Sequence, residues 1–393
     1  MRFDVLVTTA ALLLTACAGQ RVTTTLTDAF RISLPTADSA STERLAPGVL
    51  LHRLVRNAGP LRVAVLDIDL AACVTMRAVK GGPIAVGRTT TSALLQSLPV
   101  LEQPIAAVNA DFFSFTPPGV PVGALVDNGR LIAGPVDRPV LAFDSLGHPF
   151  IGALSVTTDL SGPRGTLTAT SWNRPRVTAP GIVDAAWAQR LDSLVRPTAR
   201  LLLPLSAGRA ADMVQYRTAA VPPSHSGIAM VDTLLLVGRG TEIIADGDTV
   251  TLRRSWRPMT PVDAAGGFPL LVRDSVIAPT VDSDGAESFR GVNPRTAVGV
   301  GMHGRRLWLV VIDGRRAEYS VGTTTRQTAE LLLELGAADA LNLDGGGSTA
   351  MVVRDAISGT PRLVNRPSDA VGERPVANAL AVLGVCSRSE RRD

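Results

Sequence analysis

Cysteine is scarce in this chain, with three residues in 393, and histidine is barely commoner at four. His52, His148, His225 and His303 stand isolated from one another and from the cysteines, so no group has zinc-ligand spacing. Aromatics make up only 4% of the residues. The 39 basic residues, nearly all Arg, are dispersed among 35 acidic ones rather than gathered into a stripe interleaved with aromatics, so nucleic acid is not an expected partner. Beyond the N-terminus no long apolar run occurs. What is present, 46% hydrophobic against 19% charged residues, is a globular composition with material for one large core or two smaller ones.

The N-terminus is the exception. Arg2 precedes an apolar run from Val5 to Leu14, too short to span a bilayer and suited to an export signal. Leu14-Thr15-Ala16-Cys17 resembles the lipobox of bacterial lipoproteins, in which signal cleavage leaves the cysteine as the lipid-bearing first residue. Ala18 rather than Asp after Cys17 implies an anchor in the outer membrane, where the organism has one; the plainer alternative is an ordinary secretory signal with an incidental cysteine. The expected organisation is a signal peptide over 1–17, a Thr-, Ser- and Ala-rich tether over 18–48, one large domain over 49–386 and a disordered tail over 387–393. The exported product would be membrane-anchored in the outer membrane or periplasm. In that oxidising setting Cys73 and Cys386 could pair, tying the domain's start to its end, or persist as two free thiols.

Apolar patterning predicts strands at Leu61–Leu70, Ile105–Asn109, Leu270–Arg273, Leu307–Ile312, Ala340–Leu343 and Thr349–Val353, and a short helix over Thr90–Leu98. Val122–Ile132 reads as a hairpin turning at Asp127-Asn128-Gly129. Thr324 with Gln327 can form a capping box, Thr328, Leu331, Leu332 and Leu335 follow at helical spacing, and Gly336 supplies the stop. The 147–257 region is less regular and reads as additional strands or an inserted subdomain, with a helix at Val183–Val195. Strand, helix, strand over 307–343 has the length of a crossover joining parallel strands. The expected fold is therefore α+β or mixed α/β, with mixed sheets and a crossover helix. Asp313 and Asp344 each follow a strand directly and would open onto the same rim, where such sheets place ligands.

The stretch ALNLDGGGSTA at 340–350 sets three glycines immediately after a strand. Glycines there weaken regular structure unless the backbone must approach something closely or take positive φ. Asn342-Leu343-Asp344 also repeats the pattern of Asn109-Ala110-Asp111 at the end of the Ile105 strand, hinting at an internally duplicated fold with one carboxylate from each half. The bland reading of a single Asn-x-Asp is a turn whose Asp caps backbone amides. Gly345, Gly346 and Gly347, with Ser348 and Thr349, would offer amides and hydroxyls to phosphate or sugar oxygens. The stretch lacks the Gly-Lys-Ser/Thr of a Walker loop, G-x-G-x-x-G spacing and a G-x-S-x-G elbow.

Asn342-Leu-Asp-Gly-Gly-Gly-Ser348 resembles the signature of the phosphodiester glycosidase family. Supporting matches run in family order from about residue 60 to 384: Asn109 to Phe113 with Gly123 and Gly129, Gly266-Gly267, Asn293 to Gly299, Asp313-Gly314-Arg315, Gly322 and Arg374 to Leu380. A departure is Asp111, where bacterial relatives commonly carry Gly. The resemblance implies hydrolysis of the bond between a sugar's anomeric carbon and a phosphate, on a glycan or sugar phosphodiester. Asp344 is then the first catalytic carboxylate, with Asp313 and Asp111 as further candidates. Arg295 and Arg374 would clamp the phosphate; Asn109, Thr296, Arg315, Asn342 and the residues from Gly345 to Thr349 would bind substrate. No cofactor is required, and strand-end acids permit a divalent cation such as Ca2+ without demanding one. Two other readings are an ordinary glycoside hydrolase using Asp313 and Asp344 as acid and base, and a carbohydrate-binding surface lipoprotein without catalysis.

Overall fold

The computed structural model describes residues 37–80, 84–174, 178–184, 199–205, 212–221 and 233–385. Three α-helices occur among the described residues: α1 (Thr91–Ser97), α2 (Glu287–Arg290) and α3 (Thr325–Glu334). The expectation of an α+β or mixed α/β fold built on a crossover helix is overturned, because strands dominate and the molecule is mostly β. Among the described ladders only the two-residue pairing of Ser171–Trp172 with Gly181–Asp184 is parallel.

The correction has a local cause. Arg306–Ile312 and Ala337–Asn342 do run in the same direction with α3 between them in sequence, but they are not neighbours. Arg295–Gly301 lies between them, antiparallel to both, with Arg295 opposite Ile312 and Ala297 opposite Asn342. Periodicity identifies each strand and says nothing about what inserts between two of them. The helix forms as its spacing predicts: Thr324 Oγ1 accepts from Gln327 N, Gln327 Oε1 accepts from Thr324 N, and Gly336 ends it at φ +97°. The hairpin is also as expected, with Asn128 and Gly129 both at positive φ between Leu125–Asp127 and Arg130–Ala133.

Four larger sheets enclose two principal cores. The first, of eight strands, includes in spatial order Val49–Arg56, Leu61–Asp69, Arg306–Ile312, Arg295–Gly301 and Ala337–Asn342. The second, of five, includes Met351–Arg354, Pro104–Asn109, Ala379–Leu383 and Thr75–Val79. The third runs Pro149–Ala153, Pro139–Phe143, Asp263–Gly266, Leu125–Asp127, Arg130–Ala133, and residues 155–257 supply the fourth, of eight strands. Leu66, Val298 and Leu341 of the first sheet meet Val108 and Leu380 of the second and Leu125 and Leu141 of the third in one core. Val126, Val140, Ala142 and Ala264 of the third sheet point the other way and join Leu160, Trp172, Tyr216 and Leu252 in another. Successive strand residues face opposite sides, so a sheet buried on both faces needs an unbroken apolar run such as Val140-Leu141-Ala142-Phe143. α3 covers the outer face of the first sheet and α1 that of the second.

Asn109 ends a strand of the second sheet and Asn342 a strand of the first. The repeated Asn-x-Asp therefore marks the ends of strands in two different sheets. Ser39–Ala46 pairs with Val49–Arg56, so ordered structure begins ahead of the tether boundary expected at 48. The expected helix over 183–195 starts instead in the strand Gly181–Asp184; its remainder, the signal segment with Cys17, Cys386 and the tail lie outside the described residues. Cys73 is disulfide-bonded.

Candidate active site

Each of the three glycines after Asp344 answers a different steric demand. Gly345 packs on the Pro294 carbonyl, so a Cβ there would come within 2.7 Å of that oxygen. Gly346 takes φ +61° against the Arg315 guanidinium. A Cβ on Gly347 would overlap the ion pair of Arg374 with Asp369. The bend is closely packed, and Gly346, Ser348 and Thr349 donate their amides to Pro294 O, Gly345 O and Gly346 O. The expectation of a row of bare amides facing substrate therefore does not hold for these three.

The two Asn-x-Asp edges are bonded to each other. Asp344 N donates to Ala110 O at 2.8 Å, and Asn109 Nδ2 donates to Asp344 O at 2.6 Å. Asn109 Oδ1 accepts from Thr296 Oγ1 at 2.7 Å and from Ala350 N at 3.0 Å. Asn342 Nδ2 donates to Phe268 O and Leu343 O. Asn109, Thr296 and Asn342, expected to contact substrate, are buried and direct these groups at the protein itself. They position the aspartates. Asn378, which the sequence reading did not single out, does the same for Asp111, accepting from its amide at 2.8 Å. It lay inside the Arg374 to Leu380 match, and the visible signal was a third Asn beside an apolar strand.

The side chains of Asp111 and Asp344 face a common electrostatic environment, and burial governs both. Asp111 is 1% exposed, and burial pushes its pKa up to about 7 despite the Gly123 amide and the Arg174 and Arg138 guanidiniums; the charge of Asp344 adds to the rise. Its Oδ2 accepts from Gly123 N at 2.6 Å, while Oδ1 is buried without a partner. Gly123 and Gly266 leave room for this carboxyl, since a Cβ on either would stand 3.0 or 2.9 Å from Oδ2. Asp344 keeps a partly exposed edge, yet protein packed around its carboxyl raises the pKa to about 6, against the lowering effects of the Ser348 hydroxyl, the Arg374 charge and the Gly345 amide.

Asp313 is placed differently. Its carboxyl accepts from Asn365 Nδ2 at 2.9 Å, from Arg366 N at 3.1 Å and from Tyr319 Oη at 3.2 Å. Burial raises its pKa, but these partners occupy the carboxylate and pin the 365–366 turn. Asn365 Nδ2 also donates to Thr349 O, so Asp313 reaches the glycine bend through a side chain and not directly.

The cations divide in the same way. Arg295 is 2% exposed, and it donates to Thr323 O, Phe289 O and Gly291 O. It is a brace for backbone carbonyls, not an open clamp. Arg374 pairs with Asp369 at 2.7 and 2.9 Å and extends Nη1 to Ser348 Oγ at 3.4 Å, beside Asp344. Arg315 is exposed, beside Gly346 and bonded to Asn293 Oδ1 at 3.0 Å. Arg138, absent from every motif, sits 4.8 Å from the centroid of Phe268 and 5.9 Å from that of Phe112. Its guanidinium makes no ion pair or hydrogen bond among the described residues. Phe289 completes the wall, 5.8 Å from Phe112 and 6.1 Å from Phe268. Among the described residues no group of three or more His, Cys, Asp and Glu is arranged to hold a metal ion.

The Arg138 guanidinium near Asp111 thus lies on the aromatic wall itself. Residues 225–383 match the phosphodiester glycosidase family. The matched segment carries Asn342, Asp344, the glycine bend, Arg374 and Asn378, whereas Asn109, Asp111, Arg138 and Arg174 precede it. No curated protein is similar in sequence. Among solved structures, a hypothetical protein from Synechocystis aligns with TM-score 0.66 at 22% identity, over 88% of this chain and 63% of that one. A Burkholderia pseudomallei protein described as exported aligns with TM-score 0.63 at 20% identity, over 88% and 96%. These likenesses establish a shared fold. The zebrafish N-acetylglucosamine-1-phosphodiester alpha-N-acetylglucosaminidase catalytic domain, auto-inhibited by its pro-peptide, aligns with TM-score 0.46 at 15% identity, over 88% and 87%.

Proposed function

We propose that this chain is a hydrolase cleaving the bond between a sugar's anomeric carbon and a phosphate. The observation that carries the reading is the placing of two carboxyls with raised pKa values, the partly exposed Asp344 and the buried Asp111, near an unpaired Arg138 on an aromatic wall. Two neighbouring carboxyls whose pKa values burial raises toward neutrality can divide the base and acid halves of the chemistry between them. Asp344, ionised first as pH rises, serves as base toward water or as nucleophile toward the anomeric carbon. Asp111 holds its proton to higher pH and can protonate or hydrogen-bond the departing oxygen. A phosphodiester departs as an already stabilised anion, so the demand for acid assistance is smaller than for an ordinary glycoside. Arg138, and Arg374 beyond Ser348, supply the positive charge that a phosphate group requires.

The test is a panel of sugar-1-phosphodiesters beside matched nitrophenyl glycosides, each assayed with and without chelator. Turnover of the phosphodiesters, falling at least about 10³-fold in Asp344→Asn with an unaltered circular dichroism spectrum, is expected. Turnover of the simple glycosides alone would give the chemistry to an ordinary glycosidase. Glycan binding without product, persisting in Asp344→Asn, would make the protein a lectin-like binder.

A further inference from the structure

The strand Asp263–Gly266 carries one acid among small residues. Alternation turns Asp263 to the same side as Ala265, toward the core of the first three sheets, and it is 6% exposed there. Its Oδ1 accepts from Ala78 N at 3.0 Å and from Asn128 N at 3.2 Å, which staples the edge strand Thr75–Val79 to the hairpin turn. Oδ2 accepts no hydrogen bond from any described residue and is not sealed in. Asp263 lines a cavity of about 190 Å³ between that edge strand and the turn at 144–147.

The lining has more negative charge than positive. Glu102, Asp144 and Asp263 contribute carboxylates, and Arg77 contributes a guanidinium that is committed elsewhere: Nη1 donates to Glu102 Oε2 at 2.5 Å, and Nε and Nη2 donate to Asp127 Oδ1 at 3.3 and 3.2 Å. Asp144 accepts from the Leu146 and His148 amides and bonds the His148 ring. Asp263 is left without a cationic hydrogen-bond partner. Burial, helped by the charge of Asp127, pushes its pKa up to about 7 against the Asn128 and Ala78 amides and Arg77. The rest of the wall includes the apolar side chains of Met76, Phe143 and Leu383.

We infer that this cavity is a binding site for a small organic cation, a primary ammonium on a short aliphatic stem, whose N–H donates to Asp263 Oδ2. A buried carboxylate with an open acceptor calls for a charge-assisted donor, and the apolar wall calls for a stem. The surplus of carboxylates repels anions, so phosphate and sugar phosphates are not occupants. Among the described residues no three of His, Cys, Asp and Glu are arranged to hold a metal ion, which favours an organic cation over a bare divalent one. The volume has room for about six waters at about 30 Å³ each, and so for a stem of about four or five carbons. Gly266, which borders the Asp111 carboxyl, lies at the other end of the same strand, about 10 Å away at roughly 3.3 Å per residue. The site is therefore separate from the carboxyl pair and does not rest on the hydrolysis proposed above.

The experiment is calorimetric titration of the whole protein with n-butylammonium chloride at pH 8, beside n-butanol as the neutral chain of matched length. One saturable site is expected, with n-butanol at least about tenfold weaker. Asp263→Asn, whose amide oxygen can still accept from Ala78 and Asn128, should weaken butylammonium about tenfold while melting no lower than wild type. Wild-type affinity should fall about tenfold between pH 8 and pH 6, as Asp263 takes up its proton. A fall of the same size in Asp263→Asn would belong to His148 beside Asp144 and would overturn the assignment. No saturable binding, n-butanol binding as tightly as the amine, or affinity unmoved in Asp263→Asn overturns it as well. So does displacement of the amine by an equal concentration of Ca2+, which would make the cavity a metal site.

Discussion

At the scale of single residues, the two aspartates predict opposite limbs of a pH profile. Activity should rise as Asp344 ionises near pH 6 and fall as Asp111 loses its proton near pH 7, giving a narrow maximum between these values in kcat/KM. Asp111→Asn should flatten the alkaline limb and lower the rate about 10²-fold. Stability moves the other way. A carboxyl whose pKa is raised by folding contributes fully below its unfolded value near 3.8 and loses that contribution as pH climbs through about 7. Asp111→Asn should therefore melt on the order of 5 °C above wild type at pH 8 and show no such advantage at pH 4. Arginines separate by the same kind of comparison. Arg138→Ala should raise KM for the phosphodiester about tenfold at nearly constant Tm, while Arg295→Met should cost about 3 kcal/mol by leaving three carbonyls short of a donor. Nothing in composition distinguishes these arginines. Arg295 lay in a motif and proved to be a brace, whereas Arg138 had no motif because its placement depends on the phenylalanines that surround it in space.

At the scale of elements, local signals were legible. The capping box at Thr324, the Asn128-Gly129 turn and the Gly336 stop each follow from the chemistry of two to four neighbouring residues, and each forms. The order of strands across a sheet is a long-range property, which is why Arg295–Gly301 could insert unannounced and turn an expected parallel crossover into an antiparallel sheet. The same sheet still carries Asp313 and Asp344 to one edge, since both preceding strands oppose the inserted one; side-chain partners then separate their roles. Two substitutions test this division between scaffold and site. Thr324→Ala should lose about 1 kcal/mol from a helix on the outer face, with kcat retained. Gly347→Ala should displace the Arg374–Asp369 pair beside Ser348 and depress kcat/KM about tenfold or more. Equal effects of the two on activity would place the glycine bend outside the site.

At the scale of the whole molecule, the third sheet is a wall common to both principal cores, with Leu141 facing one and Val140 and Ala142 the other. Neither core can open without stripping cover from the other. Calorimetry should record one cooperative transition, and a separate early melting of residues 155–257 would contradict the shared wall. Composition did indicate enough apolar material for one core or two. The additional strands expected in the 147–257 stretch do form, and those of 155–257 build a sheet of their own; that they pair with one another and not with the other sheets is a long-range property that sequence alternation does not carry.

The seat of Asp111 is defined by atoms that are missing. Gly123 and Gly266 lie so close that a methyl group on one would come within 2.8 or 2.7 Å of the other's Cα before it met the carboxyl. The two positions are therefore locked jointly: changing either alone wedges the bend at Gly123 away from the strand that ends at Gly266. A mutational library over this protein should find them intolerant even to alanine, and that blank pair would trace the outline of the buried acid without any substrate in hand.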